Sequence, residues 1–294
     1  MNASSSRDKW AEWVLARSHA GDAEQKRRSL EFLGPVRDRV LENAHIDSGD
    51  VVLDVGAGDG LIAFGAMSLV GESGRIIFCD VSEDLLDHCR AAARELGVAD
   101  RAEFVRAAAE DLSPIPDGSV DVVTSRSVLI YVQEKEAAFR EFHRVLRPGG
   151  RVSIFEPINN YFPDDMNDFW GFDARPVRDL VEKIWVCEGW DDSNRANDPM
   201  MNFNERDLLR HAEDAGFREV HVELVVDVEP GMGRGLGPAS SDRTEPERPN
   251  NRGSYQGSPH ARRGRAVRCA PPTPRGRWSM PEAVSVRVRP RPTV

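Results

Sequence analysis

Residues 51–60 read VVLDVGAGDG, an apolar run of strand length that leads directly into a glycine-rich loop. The run has one polar residue, Asp54, so it predicts a strand that is buried on both faces of a sheet. Glycines at positions 56, 58 and 60 allow the backbone to turn sharply and a ligand to approach where a Cβ would clash. In an open α/β sheet, such a loop lies at the ligand crevice beside the first strand.

Strands and helices alternate along most of the chain. Helical patterns occur at 8–19, 30–47, 61–70, 82–96, 135–146 and 205–215, and strand-like runs at 76–80, 102–107, 120–125, 151–156 and 220–229. Apolar strands that alternate with helices are typical of a parallel sheet covered on both faces. We therefore predict the α/β fold class, with a doubly wound, Rossmann-like, mostly parallel sheet that has helices on both faces.

The charge of the chain is divided unevenly. The formal net charge is −10, yet residues 230–294 carry +9, with 13 Arg and no Lys, and residues 1–229 carry −19. A body this acidic would repel phosphate backbones, which argues against a nucleic-acid partner. No stretch approaches the roughly 20 apolar residues that cross a bilayer, and the first residues lack a signal-peptide pattern. We therefore expect no membrane partner and a cytoplasmic location.

The cysteines offer no metal chemistry. They stand at positions 79, 89, 187 and 269, with neither a CxxC pair nor any other metal-ligand spacing. The histidines are scattered singly. The sequence therefore predicts neither a metal site nor a disulfide framework.

Two classes of cofactor use a glycine loop of this kind. Gly58–Ala63 fits the dinucleotide pattern G-x-G-x-x-A, and Asp80 follows Gly60 by 20 residues, at the position of a ribose-binding acid. A pyrophosphate needs bare N–H groups and a positive helix end, whereas this loop carries Asp54 and Asp59. Two like charges 4 Å apart repel by about 4 kcal/mol at an effective dielectric of ~20. S-adenosylmethionine, which carries a sulfonium and an ammonium group, suits the acidic loop better.

Four motifs in sequence order resemble a class I S-adenosylmethionine-dependent methyltransferase of the quinone-biosynthesis-like group. They are VLDVGAGDG, IIFCDVSEDLL, FVRAAAEDLSPIPDGSVDVVTSR and REFHRVLRPGGRVSIFEP, and the resemblance covers residues 36–157, more weakly to 229. It implies S-adenosylmethionine as cofactor and methyl transfer to an oxygen, nitrogen or carbon of a small-molecule acceptor. A catalytically impaired relative that only binds, or a nicotinamide-dependent oxidoreductase, is the alternative. The oligomeric state is left open.

The resemblance assigns the cofactor contacts residue by residue. Asp54 would orient the methionine ammonium, Asp80 would accept both ribose hydroxyls, and Val81 would pack on the adenine. The family often has Asp or Asn where this chain has Ala108, so the backbone N–H of Ala109 is the better candidate for the adenine edge. The other cofactor positions are the three loop glycines, an acid beside the methionyl part, a second adenine-edge residue and a cation at the amino-acid end: Gly56, Gly58, Gly60, Asp59, Glu110 and Arg126.

The acceptor side is less well defined. Methyl transfer needs the acceptor atom ~3–3.5 Å from the methyl carbon and water excluded, while the cofactor supplies the chemistry. Candidates lie near strand ends and in the covering segments: Trp10, Trp13, Tyr131, Glu156 and Tyr161. Each of the first four has a structural alternative, because the tryptophans could simply dock the first helix, the tyrosine could pack on a helix and the glutamate could be a cap. The sequence assigns no catalytic general base.

These patterns divide the body into four regions. We predict an N-terminal helical lid over 1–35, the cofactor-binding core over 36–156, a substrate-cap insertion over 157–203 and the rest of the core over 204–230. The insertion is rich in aromatic residues, with eight of the 21 in the chain, which favours a pocket for a flat or apolar molecule. A cap with its own minor core is the alternative.

The residues after 230 do not resemble the family. They contain one Leu and no Ile or Phe, so they can bury little, and we predict a disordered basic tail over 231–294. Only AVSVRVR at 283–289 alternates like a strand, and it places Arg287 and Arg289 where a buried strand needs apolar side chains. The sixth strand would then lack a neighbour.

The composition of this tail also suggests its origin. Dominance of Arg, Pro, Gly and Ser without Lys is typical of a GC-rich gene read out of frame. We therefore hypothesise a reading-frame shift near residue 232. A native basic tail that binds an acidic partner is the alternative.

Overall fold

The computed structural model describes residues 8–19, 23–159, 168–169, 172–173, 175–180, 182–183, 197–225 and 283–290. The chain falls into two compact units. The first comprises Met1–Phe162, Ser193–Asp227 and Met280–Val294, and the second comprises Pro163–Asp192 and Val228–Ser279. The large sheet and the candidate site belong to the first unit.

The predicted alternation of helices and strands is present. The described helices are α1 (Lys9–His19), α2 (Ala23–Ala44), α3 (Leu61–Ala66), α4 (Glu83–Glu95), α5 (Lys135–Val145) and α6 (Glu205–Asp214). The strands are β1 (Val51–Val55), β2 (Arg75–Asp80), β3 (Ala102–Arg106), β4 (Val120–Arg126), β5 (Leu146–Pro157), β6 (Asp168–Phe169), β7 (Phe172–Asp173), β8 (Phe217–Val225) and β9 (Ala283–Pro290). The short strands β6 and β7 lie in the second unit and pair with each other.

Seven strands form the main sheet in the order β3-β2-β1-β4-β5-β9-β8. The strands from β1 to β5 pair in parallel, and β9 is antiparallel to both β5 and β8. The predicted fold class, a Rossmann-like and mostly parallel α/β sheet, is confirmed. Among the described residues, no helix combines the length and the apolar character that crossing a bilayer requires.

The sheet separates two apolar cores, which explains why its central strand β1 is apolar at four of its five positions. In β1, Val52 belongs to one core and the next residue, Leu53, belongs to the other. Phe78 and Leu86 lie in the Val52 core, whereas Phe139 lies in the Leu53 core. Consecutive strand residues point to opposite faces, so a strand covered on both sides has no position for an exposed polar residue.

The predicted disordered tail is wrong for residues 283–290, which form strand β9. This strand fills the position between β5 and β8, with Val286 opposite both Ile154 and Val222. Without β9, the backbone N–H and C=O groups of β5 and β8 that face its position would lack hydrogen-bond partners. The backbone of β9 supplies these partners. Residues 231–282 and 291–294 lie outside the described residues, and the reading-frame hypothesis stays a prediction.

Some boundaries also differ from the predictions. The segment 148–150, which lies between the predicted helix at 135–146 and the predicted strand at 151–156, is part of β5. The pairing with β4 shifts there, from Val120 opposite Leu146 to Val122 opposite Arg151, and Gly149 has φ +83°. A glycine tolerates this left-handed conformation, so the strand continues through a bulge instead of ending.

Candidate functional site

Four strands end at one edge of the sheet with charged residues. Because β1, β2, β4 and β5 run parallel, their carboxyl ends meet there. Asp80 and Arg126 close β2 and β4, and Asp54 and Glu156 are the penultimate residues of β1 and β5. Three of these four side chains are buried, and Arg126 is half-buried. The structure therefore brings together residues that are distant in the sequence, such as Asp54 and Arg126, which are 72 positions apart.

The glycine loop folds back over the end of β2. The backbone N–H groups of Gly56 and Ala57 both donate to the carbonyl of Cys79, at 2.8 and 2.9 Å. A Cβ at Gly56 would lie 2.2 Å from Cγ2 of Val128, whereas one at Gly58 would meet nothing closer than 3.9 Å. Gly56 is thus required by the fold itself, whereas a Cβ at Gly58 would make only ordinary van der Waals contacts.

Asp54 is an almost completely buried acid at the start of this loop. Its carboxylate accepts hydrogen bonds from the Thr124 hydroxyl at 2.8 Å and from the Ala63 N–H at 3.1 Å. Burial raises the pKa of Asp54 to about 7, against the lowering effect of these bonds. A cation that binds next to this group would favour its charged form, so the position fits an ammonium.

Asp80 holds the same kind of position at the end of β2. It accepts hydrogen bonds from the N–H groups of Gly58 and Ser82, each at 2.9 Å, and burial raises its pKa. An ionised carboxylate has about four lone-pair positions, so two bonds leave acceptors for a ligand diol. The bond to Gly58 also fixes the loop against β2.

The residues assigned to the adenine line one side of the crevice. Val81 has 44% of its surface exposed, and its carbonyl accepts a hydrogen bond from Nε of Arg106 at 3.1 Å. Ala109 is buried, Ala108 is half-buried and Glu110 is exposed. An exposed apolar side chain next to Asp80 is suited to stack against a flat ring.

Two further charged residues, Asp59 and Arg126, were predicted to contact the amino-acid part of the cofactor. Asp59 lines a surface groove of about 310 Å³ together with Arg37 and Phe64. The charge of Arg126 lowers the pKa of both Asp54 and Glu156 and thus partly offsets their burial. The Arg126 guanidinium thus carries a positive charge close to both acids, and it is suited to bind a ligand carboxylate.

Glu156 is completely buried and holds a backbone turn. Its Oε1 accepts from the N–H groups of Val128 and Leu129 at 2.9 and 3.0 Å, and its Oε2 accepts from that of Ile130 at 3.2 Å. Burial raises the pKa of Glu156 to about 7, although these bonds oppose the shift. Both carboxylate oxygens are engaged, which favours the structural role over direct contact with an acceptor.

Helix α1 is attached next to Asp80 through its capping residue. Asp8 caps the helix by accepting from the N–H groups of Trp10 and Ala11. The other oxygen of Asp8 accepts from the Ser82 hydroxyl at 2.6 Å, and its own N–H donates to Asp84 at 2.7 Å. Along the helix, the Val14 side chain would lie 3.9 Å from a Cβ at Gly58. The helix therefore passes directly over the glycine loop.

The same helix reaches the turn after β4 through two aromatic side chains. The rings of Trp10 and Trp13 meet the Tyr131 ring edge to face, with centroids 5.0 and 6.3 Å away. Trp13 keeps 46% of its surface exposed. The structure thus joins three of the proposed acceptor residues in one aromatic cluster, whereas Tyr161 lies outside the described residues.

Three side chains that shape the site were not predicted. Thr124 could have been found, because it lies opposite Asp54 in the parallel register and shares its face. Asp8 stands at a capping position before α1, but no sequence pattern indicates its contact with Ser82. Lys135, in the first turn of an amphipathic helix, is expected at the surface and is buried instead. Among the described residues, no group of three or more His, Cys, Asp or Glu side chains is arranged to hold a metal ion.

Comparisons with known proteins agree with this geometry. A family model described as "Methyltransferase domain" matches residues 53–154. A ubiquinone/menaquinone biosynthesis C-methyltransferase, UbiE, from Cronobacter sakazakii is 33% identical over 189 residues, which cover 62% of this chain and 71% of that protein. UbiE from Escherichia fergusonii is 40% identical over 190 residues, with 61% and 71% coverage.

Solved structures show the same fold. A methyltransferase from Haloferax volcanii, in complex with the Trm112 methyltransferase activator, aligns with a TM-score of 0.54 and 16% identity over 98% of this chain and all of that one. A methyltransferase structure from Bacillus halodurans aligns with a TM-score of 0.50 and 18% identity over 88% of this chain and all of that one. At these identities, the likeness concerns the fold alone.

Proposed function

Because the chain belongs to the class I S-adenosylmethionine-dependent methyltransferases, we propose that its crevice transfers the cofactor's methyl group to a ring carbon of a small, quinone-precursor-like acceptor. Methyl transfer with S-adenosylmethionine is the activity of the family. The assignment of individual residues and the choice of acceptor are our proposal. The observation that carries it is the arrangement of buried acids on one side of the crevice and an aromatic cluster on the other.

The residues present fit the cofactor. Asp54 is an acid whose raised pKa can be relieved by a neighbouring ammonium. Asp80 retains acceptor capacity for a ribose diol, and Gly58 leaves space for a close approach. A phosphate-bearing cofactor would instead meet two acids at this edge, which disfavours the nicotinamide alternative.

When bound, S-adenosylmethionine supplies an electrophilic methyl group on its sulfonium. The chain therefore needs to bind and orient the cofactor and the acceptor and to exclude water. Asp54 would hold the ammonium, Asp80 the ribose hydroxyls and Arg126 the carboxylate. Val81 and Ala109 would contact the adenine, and the remaining members of the proposed cofactor set are Gly56, Asp59, Gly60, Ala108 and Glu110. The loop is already held in place, because the Gly58 N–H donates to the Asp80 carboxylate and the N–H groups of Gly56 and Ala57 donate to the Cys79 carbonyl.

The acceptor would lie against Trp10, Trp13 and Tyr131. Aromatic rings bind a flat ring by stacking or edge contacts, and they exclude water from the reacting methyl group. Glu156 would position the turn that carries Tyr131, since three N–H groups occupy its oxygens. The names of the UbiE relatives, C-methyltransferases of quinone biosynthesis, support an acceptor whose nucleophile is a ring carbon.

We extend the proposal to location and partners. The charge of −19 over residues 1–229 supports the absence of a nucleic-acid partner. A cytoplasmic location remains a prediction from the sequence.

The proposal is tested by incubating the purified chain with S-adenosylmethionine and demethylated quinol precursors of ubiquinone and menaquinone. Mass spectrometry should find a product heavier by one methyl group, and NMR should place that group on a ring carbon. Methylation of a hydroxyl would show that the acceptor atom is an oxygen and not a ring carbon. Binding of S-adenosylhomocysteine without turnover of any phenolic or quinol acceptor would favour an impaired, binding-only protein.

A further inference from the structure

Lys135 is a buried charged residue that the proposed chemistry does not use. It is the first residue of α5, and only 4% of its surface is exposed. Its Nζ donates three hydrogen bonds, to the carbonyl of Val132 at 2.9 Å, the carbonyl of Pro199 at 2.8 Å and Oδ1 of Asn202 at 2.9 Å. The ammonium also lies 4.4 Å from the centre of the Phe203 ring. All of these partners are neutral.

The partners belong to two segments that are far apart in sequence. Val132 directly follows the 3-10 turn Leu129–Tyr131, which presents Tyr131 to the two tryptophans of α1. Pro199 and Asn202 belong to the last residues of the predicted insertion, directly before α6. Lys135 therefore ties the aromatic cluster to the chain that returns from the predicted cap.

Tyr131 is thus flanked by two buried charges that bind backbone. On one side, Glu156 accepts the N–H groups of residues 128–130, and on the other Lys135 donates to the carbonyl of Val132. Burying an ammonium among neutral groups costs free energy unless all of its hydrogen bonds are made, and an apolar side chain would avoid that cost. The geometric effect of the lysine is to fix the turn, which an apolar side chain could not do.

We infer that Lys135 is a positioning residue for the acceptor, acting through Tyr131 and the segment 198–203. The inference rests on the proposed function, since it concerns the same acceptor pocket. It predicts that the cofactor side of the crevice is independent of this lysine, because Asp54 and Asp80 share none of its partners. Loss of Lys135 would make the aromatic cluster of Trp10, Trp13 and Tyr131 more mobile and would leave the cofactor contacts intact.

The test compares Lys135→Met with Arg140→Met, a matched control on the exposed side of the same helix. We expect Lys135→Met to lower kcat/KM for the demethylated quinol roughly 100-fold, since small misplacements of an acceptor have effects of that size. Affinity for S-adenosylhomocysteine should change less than about twofold. Amide exchange at residues 128–132 should become faster in this variant and stay unchanged in Arg140→Met.

A second readout uses the pH profile. Burial lowers the pKa of Lys135 to about 8, and this effect is larger than the opposing effect of the charges of Glu156, Asp198 and Asp207. His211 of α6 also faces this group. Above pH 8 the neutral amine has one donor fewer, so the acceptor KM should rise in the natural chain. In Lys135→Arg, which stays charged, kcat/KM should be partly restored and this alkaline rise in KM should disappear.

Equal losses of acceptor kcat/KM and of S-adenosylhomocysteine affinity in Lys135→Met would overturn the inference and leave a general structural role. Unchanged kcat/KM would overturn it as well. If Lys135→Met does not fold, the presence or absence of the alkaline rise in Lys135→Arg decides the question. If the natural chain methylates no quinol, the proposed function fails, and unchanged exchange at 128–132 would then separately contradict the role of Lys135.

Discussion

The proposed cofactor side and the proposed acceptor side of the crevice are built by different kinds of contact. At the ends of β1 and β2, two bonds join residues that are 9 and 22 positions apart, between Asp54 and Ala63 and between Gly58 and Asp80, although Asp54 also binds Thr124, 70 positions away. At the ends of β4 and β5, the contacts join distant segments, as between Trp10 and Tyr131. A sequence motif can therefore specify the first side, whereas the second depends on the tertiary fold.

The two sides also differ in how they use charge. Asp54 and Asp80 are buried acids with raised pKa values and with acceptor capacity left for a cationic, diol-bearing ligand. Glu156 and Lys135 are buried as well, but their hydrogen bonds are taken by backbone and amide groups. On the proposed acceptor side, the buried charges hold the turn that carries Tyr131, and the surface next to the acceptor is the aromatic cluster.

The largest effect should come from removing β9, which supports β5 and thus the acceptor side. A chain that ends at residue 279 loses every pairing between β9 and its two neighbours. We expect a loss of roughly 5 kcal/mol or more of unfolding free energy, a large share of a typical domain's stability, together with aggregation through the opened edges. Thermal unfolding measures it, with a chain that ends at residue 290 as the control.

Equal melting temperatures for the two truncated chains would restore the disordered-tail prediction for this strand. Re-sequencing the gene tests the other part of that prediction. The reading-frame hypothesis requires an adjacent frame that encodes an apolar strand of about 5–8 residues. Absence of such a strand in both other frames would contradict it.

A pair of glycine substitutions compares the fold requirement with the ligand requirement on the cofactor side. Gly56 and Gly58 have φ values of +69° and +57°, but only at Gly56 would a Cβ clash, with Val128. We expect Gly56→Ala to cost roughly 2–5 kcal/mol of unfolding free energy and Gly58→Ala about 1–2 kcal/mol. Urea unfolding measures both values. Gly58→Ala should also weaken binding of S-adenosylhomocysteine, and equal stability losses in the two variants would contradict the steric argument.

The sequence predicted for a physical reason that Asp54 and Asp80 lie at the same edge of the sheet. Asp54 and Asp80 lie at or next to strand ends, and parallel strands bring their carboxyl ends to one edge. Lys135 could not be predicted, because its burial depends on Pro199 and Asn202, more than 60 positions away. Strand β9 was missed because its arginines violate the pattern of a buried central strand, although its backbone meets the pairing needs of β5 and β8.

The pKa of Asp54 predicts a pH dependence that belongs to the cofactor side alone. The pKa is raised from 3.8 to about 7, so the carboxylate that we propose to bind the ligand ammonium becomes protonated as the pH falls through 7. Affinity for S-adenosylhomocysteine should therefore be highest above pH 7 and fall by up to about tenfold per unit below it. Titration calorimetry from pH 5.5 to 8.5 measures this. Asp54→Asn should bind more weakly and with a flat profile; the same slope in that variant would assign the dependence to another group.

The smallest effect should follow from Trp13→Ala on the acceptor side. An aromatic pair contributes about 0.5–1.5 kcal/mol beyond area burial, so loss of the contact with Tyr131 should raise the acceptor KM about 2- to 13-fold. Leu96→Ala, which alters another exposed apolar residue, is the control and should leave KM unchanged. If Trp13→Ala weakens S-adenosylhomocysteine binding and leaves the acceptor KM unchanged, α1 belongs to the cofactor side instead.

Calorimetric titration of S-adenosylhomocysteine into the natural chain and into Asp80→Ala tests the central claim most directly. We predict one site per chain, and a loss of roughly 1.5–3 kcal/mol, or about 10- to 150-fold in affinity, in the variant. Asp87→Ala, which removes an exposed acid of α4, is the control and should bind like the natural chain. Unchanged affinity in Asp80→Ala, or tighter binding of NADH than of S-adenosylhomocysteine by the natural chain, would contradict the assignment of this crevice.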